Sequence, residues 1–430
     1  MNYLPRIADS LLADKLEAKG CVLIRGPKWC GKTTTAEQKA NSVIYIGDPA
    51  HREEYMQMGA IDPGQLLLGA TPHLVDEWQL IPELWDAVRF EVDHRNKVGQ
   101  FILTGSAVPE AHAPENEKKI RHTGTGRVAI IDMMPMTLAE SGDSSGEVSL
   151  SELFAQPEII RGTNPHNLED IAFLACRGGW PFAISSGMSR KAALSQSFDY
   201  LDLVVEEDIS RVDGVARNSE RARAILRSYA RLQGSQAPVS MIRKDVASND
   251  ADEISDDTIK SYLNALRQIF VIKDMSAWNP NLQSKSAIRT TPTRYFTDPS
   301  IATAALGLGP EDLMGGLSYF GFVFETMCIR DLRVYAQSLD GEVFHYRDSN
   351  GLECDAVVHL RNGRYGLVEI KLGGEKLIED GAAKLHKLSS LIDTKKMREP
   401  SFKMILTATG AFAYRRKDGV YVVPIGTLCN

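Results

Sequence analysis

The sequence predicts an α/β protein in three parts: a three-layer αβα sheet domain with a helical lid, a helix-rich module, and a second α/β domain. Three observations carry this expectation. Five short aliphatic runs between residues 21 and 133 alternate with helical stretches, as in a largely parallel sheet covered on both faces. Amphipathic helical patterns between 217 and 270 lead into two strand-like runs ending near residue 296. From residue 320, a helix precedes strands that carry paired acids and a lysine. The expected boundaries are 1–212, 213–312 and 313–430.

A chain of 430 residues is too long for one ordinary core. With 43% hydrophobic and 24% charged residues, it has the balance of a globular protein. Its apolar runs fall far below the ~18 residues that span a bilayer, so no membrane partner is expected. No signal-peptide core follows Met1, and the cytoplasm is the expected location. Six cysteines lack CxxC or zinc-like spacing, so they read as small buried residues. A net charge of −7 argues against a globally basic nucleic-acid coat but leaves room for a local patch.

The first element of consequence is the run Cys21-Val22-Leu23-Ile24, which reads as a buried strand. It feeds Gly26-Pro27-Lys28-Trp29-Cys30-Gly31-Lys32-Thr33, and a helix is expected from Thr34. In that strand–loop–helix context the glycines let successive N–H groups face phosphates. Lys32 would reach the β- and γ-phosphates of ATP, the Thr33 hydroxyl would ligate Mg²⁺, and the helix would aim its positive end at the anion. His73-Leu74-Val75-Asp76-Glu77 is a second strand, ending in two acids. Asp76 is expected to hold the metal and Glu77 to act as general base on the attacking water. Phe101-Ile102-Leu103-Thr104 is a third strand; Thr104 would sit between the other two and contact water or the γ-phosphate, or simply end its strand. Residues 42–46 and 128–133 supply two more strands, and residues 153–211 a lid.

The middle of the chain holds its clearest amphipathic helix, with Ile259, Tyr262, Leu263, Leu266, Ile269 and Phe270 at 3.6-residue spacing. Lys260, Asn264 and Arg267 fall on the opposite face. Arg223, Arg227 and Arg231 recur every four residues, and residues 215–305 carry a balance of +4. Helix, helix, then two strands is winged-helix grammar. These residues suit DNA phosphates; a protein-binding module or a solvated face would look the same.

In the last part, Asp355 lies about 14 residues before Glu369-Ile370-Lys371. Glu369 and Lys371 share one side of a strand. Asp355 and Glu369 on adjacent strands, with Glu325 from a helix, would hold Mg²⁺, while Lys371 activates a water. A cross-strand ion pair is the plain alternative.

These motifs resemble the AAA+ branch of P-loop ATPases, in particular prokaryotic ATPases fused to a C-terminal domain of unknown function. The likeness rests on GPKWCGKT, LVDEWQ with Pro82-Glu83-Leu84-Trp85, ILTGSA, Gly126-Arg127 and Gly178-Gly179-Trp180-Pro181. It implies ATP hydrolysis, self-association into a ring with a hexamer as first guess, and Arg127 or Arg121 acting across subunits. Arg127 in an ordinary ion pair is the alternative. The Asp355/Glu369/Lys371 pattern resembles the PD-(D/E)xK nuclease fold, with Cys354 in place of the proline. This implies metal-dependent DNA cleavage, or else a binding module that retains the fold.

Overall fold

The computed structural model describes residues 3–106, 125–185, 187–249, 254–280 and 288–430. The chain packs as two compact units. One comprises Met1–Met134, Glu207–Ala216 and Asn264–Phe270; the other comprises Pro135–Glu206, Arg217–Leu263 and Val271–Asn430. This differs from the three consecutive segments expected. Residues 153–206, expected as a lid on the nucleotide, pack within the second unit.

In the first unit, five strands form one sheet: β1 (Cys21–Arg25), β2 (Ser42–Tyr45), β3 (His73–Asp76), β4 (Phe101–Gly105) and β5 (Val128–Asp132). Their order is β2-β3-β4-β1-β5, and every pairing is parallel. Continuous apolar runs, rather than alternating ones, are what such a sheet requires, because both faces are covered. Val22, Ile24, Leu74, Ile102 and Ile131 pack with Leu11, Leu12 and Leu16 of the helix Ile7–Ala18. Cys21, Leu23, Val75, Phe101 and Leu103 point the other way, onto Leu84, Val88 and Val92 of the helix Leu84–Arg95. The period-two alternation within each strand thus builds two cores and three layers.

The second unit contains a mixed sheet of β7 (Gly341–Arg347), β8 (Glu353–Leu360), β9 (Tyr365–Lys371), β10 (Phe402–Thr407), β11 (Tyr414–Arg415) and β12 (Tyr421–Pro424). A separate short pair joins β6 (Val148–Ser149) to β13 (Leu428–Cys429). The large sheet has order β11-β12-β10-β9-β8-β7. Strands β7, β8 and β9 form an antiparallel meander, and β10 joins β9 in parallel. The helix Leu317–Ser338 precedes the meander, and Glu375–Leu391 makes the crossover from β9 to β10. The linear order is therefore α-β-β-β-α-β.

Upstream in this unit, Ile272 bridges Phe296 and Met275 bridges Thr293, forming an antiparallel ribbon. The ribbon continues alongside β7, where Ala277 bridges His345. The helix Asp256–Gln268 buries Ile259, Tyr262, Leu263 and Leu266 and exposes Lys260 and Asn264, as its spacing predicts.

The motif Gly178-Gly179-Trp180-Pro181 has a packing explanation. Arg330 is 1% exposed and is held by Asp298 at 2.9 Å and Asp331 at 2.8 Å. Asp298 also accepts from the Gly179 N–H, and Trp180 Nε1 donates to Ser300 Oγ. A Cβ on Gly179 would lie 2.1 Å from the Met136 carbonyl oxygen. Only glycine fits there.

Candidate functional site

The loop of residues 26–33 leaves the carboxyl end of β1 and enters the helix Lys32–Glu37. Its two glycines serve different purposes. Gly31 has φ +97°, a left-handed conformation that places it before the helix. Gly26 is required by crowding instead, since a Cβ there would sit 2.0 Å from the Met133 carbonyl oxygen. The thiol of Cys30 is buried against that same carbonyl, and Arg6 Nη1 donates to the Cys30 carbonyl at 2.8 Å. Lys32 Nζ donates to the carbonyls of Gly26 (3.1 Å) and Pro27 (2.8 Å), which folds it back over the loop. Lys28 is ion-paired to Asp208 at 2.5 Å, and Trp29, with φ +65°, is half exposed.

Strand β4 lies between β1 and β3, so Thr104 is in register with both Ile24 and Asp76. Thr104 Oγ1 donates to Asp76 Oδ1 at 2.5 Å, and Thr33 Oγ1 donates to the same oxygen at 2.6 Å. Two hydroxyls and a carboxylate thus converge where the loop's helix begins. These hard oxygen donors are of the type Mg²⁺ takes, and Thr33 and Asp76 are the residues that would hold it from the protein side. Glu77 follows with φ +57°, and its carboxylate accepts from Ser106 Oγ at 3.2 Å and from Gln79 Nε2. Thr34 is the third residue of the loop helix's first turn.

Arg127 stands at the amino end of the strands, before β5 and opposite the end from which the loop leaves β1, where its carbonyl accepts from the Cys21 N–H. Its guanidinium pairs with Asp93 at 2.6 Å, so it does not reach the loop of its own chain. Arg121 lies outside the described residues.

In the second unit, Asp355 on β8 and Glu369 and Lys371 on β9 meet, although 14 and 16 residues separate Asp355 from the other two. Lys371 Nζ lies 2.9 Å from Asp355 Oδ2 and 2.7 Å from Glu369 Oε2. Asp355 Oδ2 also accepts from the Ile370 N–H at 2.7 Å. Glu369 is fully buried, and its Oε1 has no hydrogen-bond partner. Burial, reinforced by the charge of Asp355, raises the Glu369 carboxyl to about 7. Burial likewise raises Glu325 to about 8, again with Asp355 adding to it, so its carboxylate shares this electrostatic neighbourhood. For Lys371, desolvation is outweighed by Asp355 and Glu369, and its ammonium is held above the usual range.

The residues expected to hold a metal here are Glu325, Asp355 and Glu369. Among the described residues, no group of three or more His, Cys, Asp or Glu is placed to hold a metal ion. In this structure the Lys371 ammonium supplies the counter-charge that the Asp355 and Glu369 carboxylates require. The acids are assembled as an ion-paired triad.

The expected DNA-facing residues are also paired. Arg223 contacts Asp202 at 2.6 Å and Glu206 at 3.2 Å, and Arg231 contacts Asp245 at 2.6 Å. Lys260 pairs with Asp257, and Asn264 accepts from Arg267. Arg227 shares the half-buried flank of the helix Ser219–Arg231. Local acids therefore neutralise much of the stripe that linear charge counting suggests.

Three further residues escape a linear reading. Tyr295, from the ribbon, donates its hydroxyl to Glu325 Oε1. Lys384 reaches from the helix Glu375–Leu391 to within 3.3 Å of Glu353 and 3.7 Å of Glu369. Asp208 meets Lys28 across 180 residues of sequence. None belongs to a contiguous motif, so only folding brings them to these sites.

Residues 18–141 match the family model of an AAA domain. Residues 168–312 and 320–428 match two domains of unknown function, DUF8612 and DUF4143. Two mycobacterial proteins described as uncharacterized, from Mycobacterium bovis and Mycobacterium tuberculosis, are each 23% identical over 372 residues, covering 85% of this chain and 73% of theirs. A solved Walker-type ATPase of Pyrococcus abyssi aligns with 71% of this chain and 96% of its own, at 17% identity and a TM-score of 0.41. The AAA match falls on the sheet, loop and strand-end acids already described. Among the described residues, no helix is long and apolar enough to cross a membrane.

Proposed function

We propose that this chain is a Mg²⁺-dependent ATP hydrolase whose nucleotide state governs a DNA-directed second unit. The observation that carries the reading is the convergence of Thr33 and Thr104 on Asp76, beside Lys32 and one residue before Glu77. The loop N–H groups and Lys32 bind the β- and γ-phosphates. Thr33 and Asp76 would hold Mg²⁺, which would supply positive charge to the phosphates. Glu77 takes the proton of the attacking water, and Thr104 keeps Asp76 aligned. A ring of copies, with Arg127 or Arg121 serving a neighbouring site, completes the proposal.

For the second unit, the α-β-β-β-α-β order and the Asp355/Glu369/Lys371 grouping support a nuclease-like fold, and the helices with their ribbon support a winged-helix-like module. The closed Lys371 triad favours a second reading, in which this unit binds DNA or protein without cutting it. Phosphate release with and without DNA, in wild type and Lys32→Ala, tests the first reading. DNA-stimulated release lost in the variant supports it, and no release under any condition overturns it. Mg²⁺-dependent nicking of plasmid DNA that disappears in Asp355→Ala would select cleavage over binding.

A further inference from the structure

Lys28 lies inside the phosphate loop, yet its ammonium is committed to a carboxylate that the loop motif does not contain. Asp208 Oδ1 lies 2.5 Å from Lys28 Nζ; the Asp208 side chain is 11% exposed and that of Lys28 47%. The helical run that begins at Arg190 widens into a π-helical turn over Val204–Asp208, immediately before Ile209–Arg211. A π turn adds a residue to the helical repeat and re-aims the side chains at its end. Here Glu207 pairs with Arg211 along the helix, whereas Asp208 turns to the loop. The segment Glu207–Ala216 belongs to the first unit, although the chain on both sides of it belongs to the second.

We propose that Asp208 competes with the nucleotide's phosphates for Lys28 and so sets the affinity of the loop for ATP. This inference rests on the loop binding ATP. A triphosphate arriving over residues 26–33 brings several negative charges to the ammonium that Asp208 holds. An ammonium has three N–H donors, but the short contact to Asp208 uses one of them and cancels much of its charge, so Lys28 has less attraction left for phosphate. Binding therefore draws Lys28 from Asp208 toward the phosphates, and loosening that contact offsets part of the loop's attraction for ATP. The released segment is the stretch 207–216, which is joined by the chain to the second unit at both ends. Asp208 is thus a residue through which nucleotide occupancy is felt outside the loop.

The size of the effect follows from the pair's exposure. A partly exposed ion pair contributes at most about 1 kcal/mol, which corresponds to roughly a three- to fivefold change in affinity. The test is calorimetric titration of ATP with Mg²⁺ into wild type, Asp208→Asn, Lys28→Ala and the double variant, each with an unchanged thermal melt. Asp208→Ala provides a second substitution should Asn disturb the turn. Removing the carboxylate is expected to tighten ATP binding about three- to fivefold in the wild-type background and to give no gain when Lys28 is already alanine. Unchanged or weaker binding in both Asp208 variants overturns the inference, as does an equal gain without Lys28. Wild-type protein that binds no ATP overturns the nucleotide reading itself, and this inference with it.

Discussion

Lys32 and Lys371 are both largely buried ammonium groups, and they are neutralised in opposite ways. Lys32 donates to two backbone carbonyls of its own loop. Lys371 lies between two carboxylates on adjacent strands, one of them fully buried. The first centre is held by backbone dipoles close in sequence, so its lysine is free to be used. In the second, each charge exists because the others do, and the lysine is part of the architecture. A lysine that has been recruited to chemistry is therefore not distinguished by burial alone; what it is paired with decides what its removal does.

Deleting each lysine sharpens this contrast. Lys371→Met leaves the buried Glu369 with only the more distant Lys384 ammonium as counter-charge and should destabilise the second unit by about 3 kcal/mol. Urea titration with hydrogen exchange read on β9 checks this, and an unchanged midpoint would mean the triad is not structural. The same variant should leave ATP turnover in place.

Acid should separate the units next. His345 Nε2 donates to the Thr291 carbonyl while Nδ1 accepts from Gln236, an arrangement that requires the neutral ring. Burial lowers its pKa to about 4, from an ordinary 6.5. Between these values the unfolded chain binds the extra proton, so the stability His345 contributes is complete above pH 6.5 and is lost as pH falls toward 4. The loss is about 3 kcal/mol. Urea midpoints of the second unit should fall over that range, and His345→Gln should flatten the slope.

Lys32→Met should lower ATP turnover at least about a hundredfold, the scale for losing a donor aimed at developing charge. It should cost only about 1–2 kcal/mol of stability, because it orphans carbonyls rather than a charge. Phosphate release and thermal melts on the same samples separate the two effects. The smallest change is expected from Arg223→Ala, whose partners Asp202 and Glu206 are more than half exposed. A stability loss under about 1 kcal/mol and unchanged DNA retention would fit a solvated ion pair. A large loss of DNA binding would restore the phosphate-facing role.

The sequence by itself determined all five strands of the first sheet and the loop after β1, because parallel strands buried on both faces announce themselves as unbroken aliphatic runs and the phosphate loop is contiguous. It also determined the helix Asp256–Gln268 and the placement of Glu369 and Lys371 on one side of a strand, each from a local period. It placed Thr104 between the strands that carry the loop and Asp76, but it did not determine that Thr104 and Thr33 both donate to one oxygen of Asp76. Nor did it show that residues 153–206 pack within the second unit, that acids neutralise the stripe of Arg223 and Arg231, or that Lys371 lies between Asp355 and Glu369. Those outcomes belong to the tertiary structure for one physical reason. Backbone periodicity acts over a few residues, whereas the partner of a charge is whatever the fold brings within about 4 Å, and for Lys28 that partner lies 180 residues away.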